Sequence, residues 1–204
     1  MKFRKLGLIV ASGIGLFTLT NQRVNAKTVL DTNSDYYMPA VFTNHQINYN
    51  MNEMNTKDQY VYQVAFKNWQ KDLNNQITFV NTDSNYQVKL FSAKNGDFYT
   101  DKNGNQVYEL AVTNLIYVGT VAKSAKIYMF NNTIKKMGEN TYRYRLAIAE
   151  HEIGHLLGLG EFDHAKNDVM SRYSELGSHN KITKLDIQEA SLENHLGSDT
   201  DGSN

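Results

Sequence analysis

Between residues 45 and 51, apolar Ile47, Tyr49 and Met51 alternate with polar Gln46, Asn48 and Asn50, the period-two pattern of a strand with one buried face. The period changes at residue 56. Tyr60, Val61, Val64, Ala65, Asn68, Trp69 and Leu73 recur at helical spacing through residue 74, behind Thr56 as N-cap, and predict a helix with one face turned to a core. Trp69, the only tryptophan, is read as part of that packed face. Two runs rich in β-branched and aromatic residues, 77–80 and 86–91, predict strands. Residues 92–105 hold Asn95-Gly96 and Asn103-Gly104, turn signals that predict a solvated hairpin loop. Strands are predicted again at 108–117 and 126–130, with the small-residue run 118–122 between them placed along a sheet edge.

The pattern over 141–157 is different. Leu146, Ile148, Ala149, Ile153, Leu156 and Leu157 spread around the helix axis, which indicates a helix buried in the centre of a domain rather than lying on its surface. Gly158 ends it. A loop follows over 159–171, and residues 183–195 return to helical spacing through Leu185, Ile187, Ala190 and Leu192 behind a Thr183 cap. The Gly, Ser and Asp residues of 197–204 form a tail expected to fray.

The ends alter the charge picture. Residues 1–26 begin with basic Lys2, Arg4 and Lys5, continue with an apolar run from Leu6 to Thr20, and finish on Val24-Asn25-Ala26, the order of an export signal cut after Ala26. The run is short and rich in Gly and Thr for a spanning helix; left uncleaved, it would retain the protein at the cell surface. The whole chain is neutral, but losing four basic residues and no acidic ones leaves 17 basic against 21 acidic residues, a net charge of −4. A mildly acidic mature chain gives no reason to expect nucleic acid or an anionic membrane as partner. There is no cysteine, so an exported domain must rely on its core, on metal ions, or on both, without disulfides. Residues 27–44, with the only proline at Pro39, show no sustained period and are read as a linker or short pro-segment, in which Asp31 and Asp35 are candidate blocking ligands.

Chemistry concentrates at His151-Glu152-Ile153-Gly154-His155. Histidines four apart on a helix lie on one face, a turn from each other, so both imidazoles can reach one metal ion. The donors suit zinc, and Glu152 between them suits a general base for a water that the metal activates. The pattern therefore carries a mechanism, zinc-dependent hydrolysis of a peptide bond. His45, His179 and His195 have no partner at ligand spacing and are read as ordinary surface histidines. Acidic and amide side chains over 93–105 offer oxygens to calcium, but their spacing matches no calcium-binding loop.

His151-Glu152-Ile153-Gly154-His155-Leu156-Leu157-Gly158-Leu159-Gly160-Glu161 resembles the metzincin metalloprotease motif H-E-x-x-H-x-x-G-x-x-H in every position but the last. Within that clan the chain is most similar to matrixins. Ala65-Phe66-Lys67-Asn68-Trp69 and Ile77-Thr78-Phe79 echo their first helix and following strand, Asp168-Val169-Met170 their Met-turn, and Leu185-Asp186-Ile187-Gln188 their last helix. The resemblance implies an α+β fold with a single catalytic domain over 45–196. It implies a twisted, mostly parallel sheet packed with a long first helix and a central zinc-binding helix, then a Met-turn and a C-terminal helix. A secreted, monomeric zinc endopeptidase acting on protein or peptide substrates is implied with it. Met170 is implied to lie beneath the zinc as an apolar floor. Tyr173 is a candidate for the substrate pocket, although Ser171-Arg172-Tyr173 departs from the Tyr-Pro that follows the matrixin Met-turn.

The third zinc ligand is the open position. A helix continued to residue 161 would carry it more than ~10 Å along the axis from His151. A glycine tolerates the positive φ of a sharp reversal, so Gly158 lets Glu161 fold back under the metal. A carboxylate oxygen is a competent ligand there, and its charge makes the activated water less acidic than three neutral imidazoles would. His164, and more weakly Asp163, are rivals if the loop runs longer. A gluzincin arrangement would take the ligand from Glu175, Glu189 or Glu193. An exported binding protein keeping structural zinc is the non-enzymatic alternative.

Overall fold

The alternation at 45–51 forms strand β1 (Gln46–Glu53), whose Ile47, Tyr49 and Met51 are buried. The computed structural model describes residues 38, 40–100, 106–137, 140–161, 167–170 and 179–196. Helix α1 (Thr56–Asp72) follows, and its N-cap is Asn55, not Thr56. Asn55 sits in extended backbone and its side-chain oxygen accepts from the Asp58 amide at 3.0 Å, satisfying one of the orphan donors of the first turn. The face predicted from periodicity is the buried one, through Val61, Tyr62, Ala65, Phe66 and Trp69.

Strands β2 (Thr78–Asn81) and β3 (Val88–Ala93) flank β1, both parallel to it. The turn-rich stretch 92–105 includes the start of a two-stranded antiparallel ribbon, β4 (Phe98–Thr100) with β5 (Gln106–Tyr108). Its Asn103-Gly104 signal lies outside the described residues. Strand β6 (Ala111–Val118) then turns at Gly119, whose φ is 62°, into β7 (Val121–Phe130). The run 118–122 is therefore the tip of a hairpin and not an edge segment, because Gly119 supplies the left-handed turn that lets Val121 and Ala122 join β7. The main sheet has the order β2-β1-β3-β7-β6, parallel throughout except for the antiparallel β6 at its end. This is the mixed, mostly parallel α+β sheet that the resemblance implied.

A short helix α2 (Asn131–Lys136), unpredicted, continues directly from β7. Helix α3 (Tyr142–Leu156) starts at Thr141, whose hydroxyl caps the Tyr144 amide at 3.2 Å. It is buried on every side from Ala147 onward, as its apolar scatter required. Helix α4 (Lys184–Glu193) begins with the expected Thr183, in a capping box with Asp186. Within the stretch 27–44, Met38, Ala40 and Phe42 belong to the core, Met38 donates to the Gly158 carbonyl at 2.9 Å, and Val41 bridges Val121.

One buried ion pair ties α1 to α3. The Arg145 guanidinium donates to Asp58 and to Asn131, and its other terminal nitrogen to Asn140 at 3.0 Å. Asp58 accepts further bonds from Ser92, from Asn55 at 2.7 Å and from Asn131 at 2.7 Å. Both charged side chains are excluded from water, at 1% and 0% exposure, so removing either leaves the other uncompensated. Arg145→Met is accordingly expected to lower the unfolding free energy in urea by about 3–5 kcal/mol, and Asp58→Asn added to it to cost much less than in the wild-type background.

Candidate metal centre

His151 and His155 stand one turn apart on α3, both buried, with ring centroids 4.6 Å apart and planes at 87°. Each Nδ1 lies against a backbone carbonyl, that of Val169 at 2.7 Å for His151 and that of Leu159 at 2.8 Å for His155. A carbonyl can only accept, so each Nδ1 carries the proton and each Nε2 keeps its lone pair. Neither Nε2 has a hydrogen-bond partner among the described residues. Burial pushes His151 down to about 3, helped by His155, and His155 down to about 4, so both imidazoles are neutral at ordinary pH.

The helix end explains how His155 finds its carbonyl. Gly158 has φ of 92°, the Leu159 amide donates to the Gly154 carbonyl at 3.0 Å, and the Gly158 amide to the His155 carbonyl at 3.2 Å. This is a Schellman closure, which turns the chain back along the helix and presents the Leu159 carbonyl to the imidazole. The same reversal brings Glu161 beneath the pair: one ligand atom each from His151, His155 and Glu161 lie within 4.8 Å of one another. Two neutral imidazoles with orphaned Nε2 atoms and one carboxylate are a donor set that fits zinc.

Glu152 is fully buried beside this set. Its Oε2 accepts from the Thr113 hydroxyl on β6 at 2.6 Å, and its Oε1 has no hydrogen-bond partner among the described residues. Burial raises the carboxyl to about 8, against the Thr113 hydrogen bond and with a contribution from Glu161. A cation held by the neighbouring donors would act in the opposite direction.

Two scaffolds hold α3 in place. From α1, the Trp69 indole donates to the Glu150 carbonyl at 2.8 Å and Asn68 to the Glu150 carboxylate at 2.6 Å, immediately before His151. From the other side, Met170 packs against Gly154, where a Cβ would run into its sulfur; glycine is needed here for this close approach. The Met170 amide donates to Asp168 at 2.8 Å, Asn180 donates to the Asp168 carbonyl at 2.8 Å, and the Thr183 hydroxyl to the Asp168 carboxylate at 2.9 Å. The α4 cap thus pins the turn whose Val169 carbonyl orients His151. Burial, then the adjacent Asp168 carboxyl, push Asp186 in that cap up to about 8.

Of the side chains singled out from sequence, the fold brings together His151, Glu152, His155 and Glu161, with Met170 packed on the same helix. His164, Asp163, Tyr173 and Glu175 lie outside the described residues. Glu189 and Glu193 are on α4, and among the described residues neither joins a metal-ligating group of three. No such group gathers around Asp97 either, so calcium has no support there. Sequence reasoning missed the Val169 and Leu159 carbonyls, which have no sequence signal. It also missed Thr113, whose signal is a hydroxyl among the inward, buried positions Ala111 and Leu115 of β6.

No curated protein matches the chain. The family model described as Matrixin (Peptidase_M10) matches residues 40–192, which takes in β1, the histidine helix, the Met170 turn and nearly all of α4. With that match over most of its length and a donor set fit for zinc at the centre of the fold, the chain belongs to the matrixin family of zinc metallopeptidases.

Proposed function

We propose that the chain is an exported zinc endopeptidase in which His151, His155 and Glu161 hold the metal and Glu152 is the general base. The convergence of two orphaned, neutral Nε2 atoms on the Glu161 carboxylate, with the Glu152 carboxylate buried alongside, is the observation that carries this reading. Zinc bound there supplies a Lewis acid that polarises the scissile carbonyl and lowers the pKa of water. The Val169 and Leu159 carbonyls hold the two rings in the tautomer that donates a lone pair. Glu152 takes the proton of the attacking water and passes it to the leaving amine, and its burial keeps bulk water from competing for that proton.

The substrate side is supported by β6. It ends the main sheet and carries Thr113 against Glu152, so a strand with one edge unpaired among the described residues packs on the helix that carries the base. An extended peptide adding to that edge gains main-chain hydrogen bonds that do not depend on its sequence. Export is supported by the basic, apolar and small-residue order of residues 1–26. Among the described residues no helix is long and apolar enough to cross a membrane.

Glu152→Gln is expected to keep one zinc per chain by metal analysis while peptide-library hydrolysis falls by about 10²–10⁴-fold; undiminished hydrolysis by the pure variant would sink the assignment. Glu161→Ala is expected to lower zinc affinity by at least about 10-fold in a chelator competition, and unchanged affinity would move the third ligand elsewhere.

Zinc removal has its own pH signature. In the metal-free fold His151 and His155 stay neutral down to about 3 and about 4, whereas in the unfolded chain they take up protons near 6.5. The unfolded state then binds more protons below 6.5, so stability falls as the pH drops from 6.5 towards 4. Glu152, raised to about 8, works the other way and costs stability as the pH rises from about 4.5 through 8. In chelator, replacing both histidines by Gln should remove about two protons from the acid slope of urea stability, and an unaltered slope would contradict their buried, neutral state.

A further inference from the structure

We propose that Thr113 is a positioning residue for the base: by occupying Oε2 of Glu152 it leaves Oε1 as the oxygen that accepts and returns the proton. This rests on the reading of Glu152 as general base. Strand β6 turns Ala111, Thr113 and Leu115 inward, and all three are buried, Thr113 at 1% exposure. A hydroxyl at such a position costs stability unless it is hydrogen-bonded, and valine would fill the same volume without that demand.

The hydroxyl has one proton and two acceptors within reach. Glu152 Oε2 is at 2.6 Å and the Glu152 backbone carbonyl at 3.2 Å, so the proton goes to Oε2, the closer acceptor. The side chain comes from the strand that ends the sheet, and the carboxylate from the buried helix. The contact therefore also sets the spacing between the proposed substrate edge and the base. The two Glu152 oxygens are thereby made unequal: Oε2 is tied down, while Oε1 is fully buried with no hydrogen-bond partner among the described residues. Without the Thr113 bond the last side-chain torsion, which is intrinsically broad, would be free to turn, and the lone pair on the other oxygen would not be held in one direction.

The test compares Thr113→Val with Thr113→Ser in the full zinc-loaded protein, using a casein-derived peptide mixture for kinetics, a chelator competition for zinc affinity and urea unfolding for stability. Thr113→Val is expected to lower kcat by about 10- to 100-fold with KM within about twofold, while zinc affinity stays within about threefold and the chain remains folded. Thr113→Ser, which keeps the hydroxyl, is expected to recover kcat to within about threefold of wild type. In a Glu152→Gln background, Thr113→Val is expected to have no further effect on the residual rate. Wild-type kcat in Thr113→Val would overturn the proposal, as would a Ser variant as slow as the Val variant, or a loss of kcat matched by an equal loss of zinc affinity. Full activity in Glu152→Gln would instead overturn the general-base reading itself, and the two failures are told apart because they fall on different variants.

Discussion

Everything at the site depends on keeping two imidazoles neutral inside a dry helix. A buried charge on either ring would be expensive, and the fold avoids it by giving each Nδ1–H a carbonyl and, among the described residues, each Nε2 no competing donor. The arrangement fixes tautomer, ring orientation and basicity together. It also dictates the chain path around α3, because both carbonyls must come from segments that have left the helix. One is presented by the Schellman turn at Gly158, the other by the turn before Met170.

From this follows the division of labour among the remaining elements. Helix α1 fixes α3 lengthwise, through the Trp69 bond to the Glu150 carbonyl and the Asp58–Arg145 pair. Helix α4 fixes the Met170 turn, because Thr183 both caps α4 and bonds Asp168. Gly154 lets these two scaffolds meet: Met170 sulfur and the Trp69 ring both come within reach of the spot where a Cβ would stand. A glycine inside a helix weakens it by about 1 kcal/mol relative to alanine, a cost that burial and close packing here offset.

With Glu161 as the proposed third ligand, the centre has a different charge balance from a three-histidine one. A bound dication would meet one unit of negative charge from its ligands, with Glu152 as a second carboxylate close by. In the proposed mechanism that would reduce the acidifying effect on water and place more of the proton-accepting task on Glu152. The Thr113 hydrogen bond, which lowers the carboxyl against its burial, acts on that same group.

The histidine pair, Glu152 between them, the reversal at Gly158 and the buried character of α3 were all legible in the chain, because each follows from local geometry: helical spacing, the left-handed tolerance of glycine and an all-round apolar surface. The strands of the main sheet and α1 were legible from their periods, with errors at their ends, such as Asn55 in place of Thr56 as cap and Val121 assigned to an edge run, whereas β4, β5 and the short α2 were not. Only the tertiary structure decided which carbonyls orient the rings, that Met38, Ala40 and Phe42 enter the core, and that Thr113 reaches Glu152 from a strand 39 residues away. Those contacts join residues far apart in sequence through backbone groups or a single hydroxyl. Neither leaves a periodic or compositional mark, so the sequence names the chemistry while the fold supplies its orientation.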